Sequence, residues 1–177
     1  MILPTTYMGS AEWYRHFLAN PSAVQIEVME SFPKQTYRNR CTITTPDGPL
    51  TLSVPVKRAD SKQLTRDVEI SYQQRWQHQH WIALVSAYKR TPYFDYYADF
   101  FRPFYEKETK FLVDLNEGLH DVIVRLMANK AMGNGQWAIG ENHTTDWSGL
   151  DLEPCFGNGQ SILDILFEYG PESVMKI

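Results

Sequence analysis

The sequence predicts an α/β fold, with a small mixed sheet carrying a basic β-hairpin in the N-terminal half and a helical C-terminal half. Three observations lead there. Short runs before residue 72 alternate apolar and polar residues with the period of a strand. A Pro46-Asp47-Gly48 turn joins two runs rich in Thr, Val and Ile, which is a hairpin signal because proline pre-sets φ and glycine accepts positive φ. After residue 73 the apolar residues recur at helical spacing instead.

Ile2-Leu3 is a short apolar start, ended by Pro4. A helix follows, capped near Ser10 and running from Ala11 to Leu18, with Trp13, Phe17 and Leu18 on one side. Asn20-Pro21 closes it, because the residue before proline is pushed out of α geometry. Ala23 to Val28 alternates as a half-buried strand, so strand, helix and strand in about 30 residues suggest a βαβ unit with a parallel pair. The hairpin arms are 37–44 and 50–56, and Pro55 in the second arm implies an edge or a bulge. Residues 57–66 read as a polar loop, and Asp67 to Tyr72 alternates again as a strand.

Residues 73–90 read as a helix with Trp76, His80, Leu84 and Tyr88 at strict i, i+4 spacing, stopped by Thr91-Pro92. Residues 93–105 begin a second, aromatic helix. Residues 110–130 give a third, with Phe111, Leu112, Leu115, Leu119, Ile123 and Leu126 as its apolar face. A short helix over 161–167 takes Ser161 as N-cap and ends at Gly170-Pro171. Residues 132–159 hold six glycines (Gly133, Gly135, Gly140, Gly149, Gly157 and Gly159) and little periodicity, which fits a lid, a hairpin around Trp137-Ala138-Ile139 or a long surface loop. As a lid, the segment would close over a pocket with Trp137 or Trp147 facing inward. As a loop, both tryptophans would anchor it to the third helix. The organisation is one domain spanning 1–177, with no internal repeat.

Composition narrows the function classes. Hydrophobic content of 43% and charged content of 21% are those of a soluble globular chain, whereas aromatics, at 14%, are abundant and cluster between Tyr72 and Tyr105. A net charge of −4 argues against nucleic acid as a partner, since that affinity rests on a surplus of cations. Cys41 and Cys155 have no CxxC spacing and read as small buried hydrophobes in a reducing compartment. With no leader-like N-terminus and no run of about 18 apolar residues, the expectation is a cytoplasmic protein with no membrane span.

His80 is the best single catalytic candidate. A histidine desolvated on an aromatic helix face stays neutral near physiological pH, which suits a general base, and equally suits a core histidine that donates one hydrogen bond. His78 and His80 cannot share a metal, because residues two apart on a helix point about 200° apart. No metal site and no cofactor is expected. Arg38 and Arg40 alternate onto one strand face with Asn39 on the other, so the pair would clamp a phosphate or carboxylate; the plainer reading is a solvated face with acidic partners. Ser53, Ser86 and Cys41 lack a nucleophile elbow, and no phosphate-binding glycine loop is present.

The run Tyr37-Arg38-Asn39-Arg40, the Pro46-Asp47-Gly48-Pro49 turn, Leu52-Ser53-Val54-Pro55-Val56 and the Trp76, His80, Tyr88 stripe together resemble the WbqC-like family. Pro92-Tyr93-Phe94, Asp114-Leu115-Asn116 and the N-terminal Leu3-Pro4-Thr5-Thr6-Tyr7-Met8-Gly9 extend the resemblance from residue 3 to residue 172. Longer relatives carry a different glycine-containing segment where this chain has 137–159. The resemblance implies a bacterial protein, a setting among surface-polysaccharide (O-antigen) genes, and a transferase moving an acyl, aminoacyl or glycosyl group onto an activated sugar. Arg38 and Arg40 would then hold an anionic small molecule such as a nucleotide sugar, His80 would act as base, and Tyr7, Asn39 and Tyr88 would line the pocket. The alternative is a binding or assembly protein that uses the same Arg38/Arg40 patch without turnover.

Overall fold

The computed structural model describes residues 1–33, 36–57, 62–128 and 160–177. Strand β1 (Ile2–Pro4), helix α1 (Ala11–Ala19) and strand β2 (Gln25–Glu27) form the expected βαβ unit, with Leu3 opposite Ile26 in a parallel pair. Helix α1 begins at Ser10, whose Oγ accepts the Trp13 N–H at 3.2 Å, and buries Trp13, Tyr14 and Phe17. One 3-10 turn, Pro21–Ala23, carries the chain into β2.

The hairpin pairs β3 (Arg40–Thr45) with β4 (Gly48–Ser53) antiparallel. Cys41, Ile43 and Leu52 are buried, while Thr42 and Thr51 face outward with their hydroxyls 3.3 Å apart. Gly48 has φ +114° and open space around its missing Cβ, so the turn needs glycine for its backbone and not for room.

Two details differ from the sequence reading. The first arm starts at Arg40, because residues 36–39 turn, with the Asn39 N–H donating to the Thr36 carbonyl at 3.3 Å. The segment around Val68–Tyr72 forms only isolated bridges, Val56 with Ile70 and Glu69 with Phe111. Its backbone bonds are split between neighbours, with Lys57 N–H on Glu69 O and Ile70 N–H on Lys110 O, so no continuous ladder forms. The described strands therefore make two separate two-stranded sheets instead of one mixed sheet.

Helices α2 (Trp76–Tyr88), α3 (Phe94–Glu106), α4 (Leu112–Ala128) and α5 (Ile162–Tyr169) build the helical half. The α2 stripe Trp76, His80, Leu84 and Tyr88 is the buried face, as its spacing predicts. The aromatic run of α3 divides: Phe94, Phe101 and Tyr105 are buried, whereas Tyr96 is 75% and Phe100 54% exposed. Helix α5 starts at Ser161, whose Oγ accepts the Leu163 N–H, and stops at Gly170, where φ is +54° and a Cβ would collide with the Tyr93 ring. The hairpin packs on α2 and α5, α2 on α3, and α3 on α4. No helix among the described residues is long and apolar enough to cross a membrane. The expected lid, with Trp137, Trp147 and Cys155, lies outside the described residues.

Candidate functional site

Tyr7 and His80 meet, as residues of one site should, but they meet inside the core. The Tyr7 hydroxyl lies 2.9 Å from His80 Nδ1 and 2.9 Å from the Tyr105 hydroxyl, and Tyr7 is fully buried. Tyr105 also points at the Met8 sulfur, 3.5 Å away. His80 is 5% exposed, and burial pulls its pKa down to about 4, opposed by a hydrogen bond to the Ser53 backbone. In the tautomer that gives its one proton to the Ser53 backbone, Nδ1 accepts from the Tyr7 hydroxyl, and the single Tyr105 proton is shared between the Tyr7 oxygen and the Met8 sulfur. Burial and then the neighbouring Tyr105 raise the Tyr7 phenol well above its ordinary range, so it stays protonated. The cluster ties together the N-terminal loop, α2, α3 and the end of β4.

Tyr88, expected to line the pocket, serves a second polar cluster that reaches the surface. Its hydroxyl donates to Asp164 Oδ1 at 2.6 Å, and Thr44 donates its hydroxyl to Asp164 Oδ2 at 2.8 Å. Helix α5 is thereby fastened to α2 and β3. Between the two clusters sits the Cys41 thiol, whose pKa is raised first by burial and then by the Asp164 charge. A thiol in that state is a poor nucleophile. Sequence reasoning missed both Asp164 and Tyr105. The available signals were an acid inside the apolar run Ile162 to Phe167, and the place of Tyr105 on the face that buries Phe94 and Phe101.

The two arginines part company. Arg38 is buried, precedes β3 and forms an ion pair with Glu30, its Nε donating to Glu30 Oε1 at 2.6 Å. Burial raises the Glu30 pKa, and Arg38 works against that rise. The Arg38 carbonyl in turn accepts from Asn116 Nδ2 at 2.8 Å. Asn39 is also structural, its Nδ2 donating to the Val54 carbonyl at 2.9 Å while the Val54 N–H returns to the Asn39 carbonyl at 2.8 Å. The expected shared clamp is therefore absent: the turn over 36–39 takes Arg38 off the strand face, and Glu30 occupies its guanidinium.

Arg40 remains. It lines a cleft of about 190 Å³ with Thr36, Tyr37, Thr42 and Thr51, and its Nε is buried without a hydrogen-bond partner among the described residues. A buried donor left unpaired is costly, so an acceptor brought to it, from water or from a ligand, is favoured. The Thr42–Thr51 hydroxyl pair uses one proton between its two oxygens, which leaves one hydroxyl proton to donate into the cleft. The described clefts place neither His80 nor Tyr7 beside Arg40. His78 is exposed and His80 buried, on different sides of α2, and no cluster of His, Cys, Asp and Glu among the described residues is arranged to hold a metal ion.

The model of the WbqC-like protein family matches residues 22–148. That stretch includes Arg38, Arg40, His80 and Tyr88 and leaves out Tyr7 and Asp164, so it is shorter than the expected 3–172. No curated protein and no solved structure matches the chain.

Proposed function

This chain belongs to the WbqC-like protein family, and from that premise we propose that it captures the anionic group of a small sugar-type ligand in the Arg40 cleft. One observation carries the reading: the Arg40 Nε is buried, unpaired among the described residues and set among hydroxyl groups at the outer face of the hairpin. A guanidinium fork with flanking hydroxyls suits a phosphate or carboxylate. The cleft, at about 190 Å³, is below the roughly 300–1,000 Å³ of sites that enclose a whole small molecule, so it takes the charged end of the ligand and leaves the remainder outside. The cytoplasm is the compartment this reading assigns, because Cys41 is an unbridged thiol.

The test is calorimetric titration of the full chain with inorganic phosphate, a sugar phosphate and a nucleotide sugar such as UDP-glucose. A charge-assisted hydrogen bond is worth about 1.5–3 kcal/mol, so Arg40→Gln should weaken binding roughly 10- to 150-fold. Arg40→Lys should not restore it, since a point charge does not replace a fork. Equal affinity in wild type and Arg40→Gln would refute the proposal.

A second reading is transfer of an acyl, aminoacyl or glycosyl group onto an activated sugar in surface-polysaccharide synthesis; because His80 is buried with Nδ1 engaged by Tyr7, it needs the ring to be uncovered before it can meet a substrate. In it, His80 takes the proton from an attacking hydroxyl or amine. It requires His80→Asn to abolish turnover while phosphate binding at Arg40 is retained. Loss of neither rules it out.

A further inference from the structure

We propose a second binding site, for the hydroxyls of a neutral polyol such as a pyranose ring, in the groove between the Lys57–Glu69 bridge and the Thr109–Lys110 segment. The groove has a volume of about 610 Å³, within the usual range for small-molecule sites, and shares no lining residue with the Arg40 cleft.

Its walls are fixed before any ligand arrives. The Lys57 N–H donates to Glu69 O at 2.8 Å, Ser71 N–H to Pro55 O at 2.8 Å, and Ile70 N–H to Lys110 O at 3.0 Å. The Tyr72 hydroxyl donates to the Thr109 carbonyl at 2.8 Å and accepts the Thr109 N–H at 2.7 Å. With its hydroxyl engaged both ways, Tyr72 offers the groove a clamped hydrocarbon ring, held further by Trp76 at 5.9 Å between centroids. A rigid aromatic surface complements the C–H face of a sugar ring.

Charge decides the ligand class. Lys57 and Lys110 are balanced by Glu69 and Glu108, so the groove attracts neither an anion nor a cation on net charge. Glu69 is already held by Lys57 Nζ at 2.6 Å and faces Lys110 Nζ at 3.8 Å. These pairs are exposed, so breaking one costs little; what disfavours an ion is that each charge it approached would come with an opposite one beside it. A hydroxylated neutral ligand breaks no pair. Its O–H groups donate to Glu69 and Glu108 and accept from Lys110, Gln73 and Thr109, which line the same groove.

Amide chemical shifts of the isotopically labelled full chain, titrated with methyl α-glucopyranoside and separately with inorganic phosphate, test this. The sugar should give saturable shifts at Ser71 to Gln73 and Glu108 to Lys110, with a dissociation constant on the order of 1–10 mM. Glu69→Gln and the exposed Gln73→Ala should each weaken it about fivefold, the equivalent of one hydrogen bond, and Arg40→Gln should leave it unchanged. Retained spectral dispersion shows that the variants fold. No saturable shift up to about 50 mM sugar overturns the proposal. So do shifts at these amides larger with phosphate than with sugar, which would make the groove an anion site.

Discussion

Acidification from pH 6.5 to 4 should strongly destabilise this protein through its buried histidines, with His80 as the clearest case. In the unfolded chain His80 takes up a proton near pH 6.5, whereas in the folded chain burial delays that uptake to about pH 4. A histidine whose folded pKa is depressed leaves stability intact above the unfolded value. Below it the unfolded state binds more protons, so stability falls until the folded pKa is reached and then levels off. At about 1.36 kcal/mol for each tenfold change in acidity, the fall from 6.5 to about 4 amounts to about 3 kcal/mol. His120, pulled down by burial to about 3, adds a loss of similar size over an overlapping range. Against a typical total of about 5–15 kcal/mol, the two together are enough to bring the protein near its midpoint. Urea unfolding of wild type and His80→Asn at intervals from pH 7 to pH 4 measures the effect. Asn keeps an acceptor for the Tyr7 hydroxyl but has no proton to gain, so the gap between the two curves should close by about 3 kcal/mol on acidification. A constant gap, or a His80 imidazole that titrates near 6.5 by NMR in the folded protein, would refute the reasoning.

Three further outcomes follow from the same contacts. Tyr88→Phe removes a hydrogen bond to a carboxylate and should cost about 1.5–3 kcal/mol in urea unfolding; in an Asp164→Ala background the cost should shrink below about 1 kcal/mol, and equal costs would mean that the pair is not coupled. Gly48→Ala places a Cβ at φ +114° and should lower stability by about 1–2 kcal/mol, measured as a fall in Tm, although nothing crowds the site. Arg38→Met strands the Glu30 carboxylate and should cost roughly 2 kcal/mol while leaving phosphate affinity unchanged; a large loss of affinity would return Arg38 to the binding cleft.

The elements were legible where local chemistry determines them. Ser10 and Ser161 cap their helices, the Pro46-Asp47-Gly48 turn sets the hairpin, and the four-residue spacing from Trp76 to Tyr88 marks the buried side of α2. The partners of charged and polar side chains were not legible. Nothing in the spacing of Tyr37 to Arg40 says that Glu30 will claim Arg38, and nothing near Tyr88 points 76 residues ahead to Asp164. The alternation over Val68 to Tyr72 reports only that one side is buried; whether a ladder forms depends on neighbours that sequence spacing does not identify. His80 was recognised as a polar group on an apolar face, yet both of its open readings share that pattern. Its location among Tyr7, Tyr105 and Ser53 is what distinguishes a neutral core ring from an accessible base.

The Cys41 side chain, on β3 between the tyrosine–histidine cluster and Asp164, doubles as a clock. Only a thiolate is alkylated, and burial both hides this sulfur and holds its proton. In a Cys155→Ser background, modification of Cys41 must wait until the hairpin swings away from α2 and α5. The labelling rate at increasing reagent concentration then reads out how often that opening occurs, first as an equilibrium and finally as the opening rate itself. Ligands of the Arg40 cleft, which is built on the outer face of the same hairpin, should slow that clock without touching the sulfur.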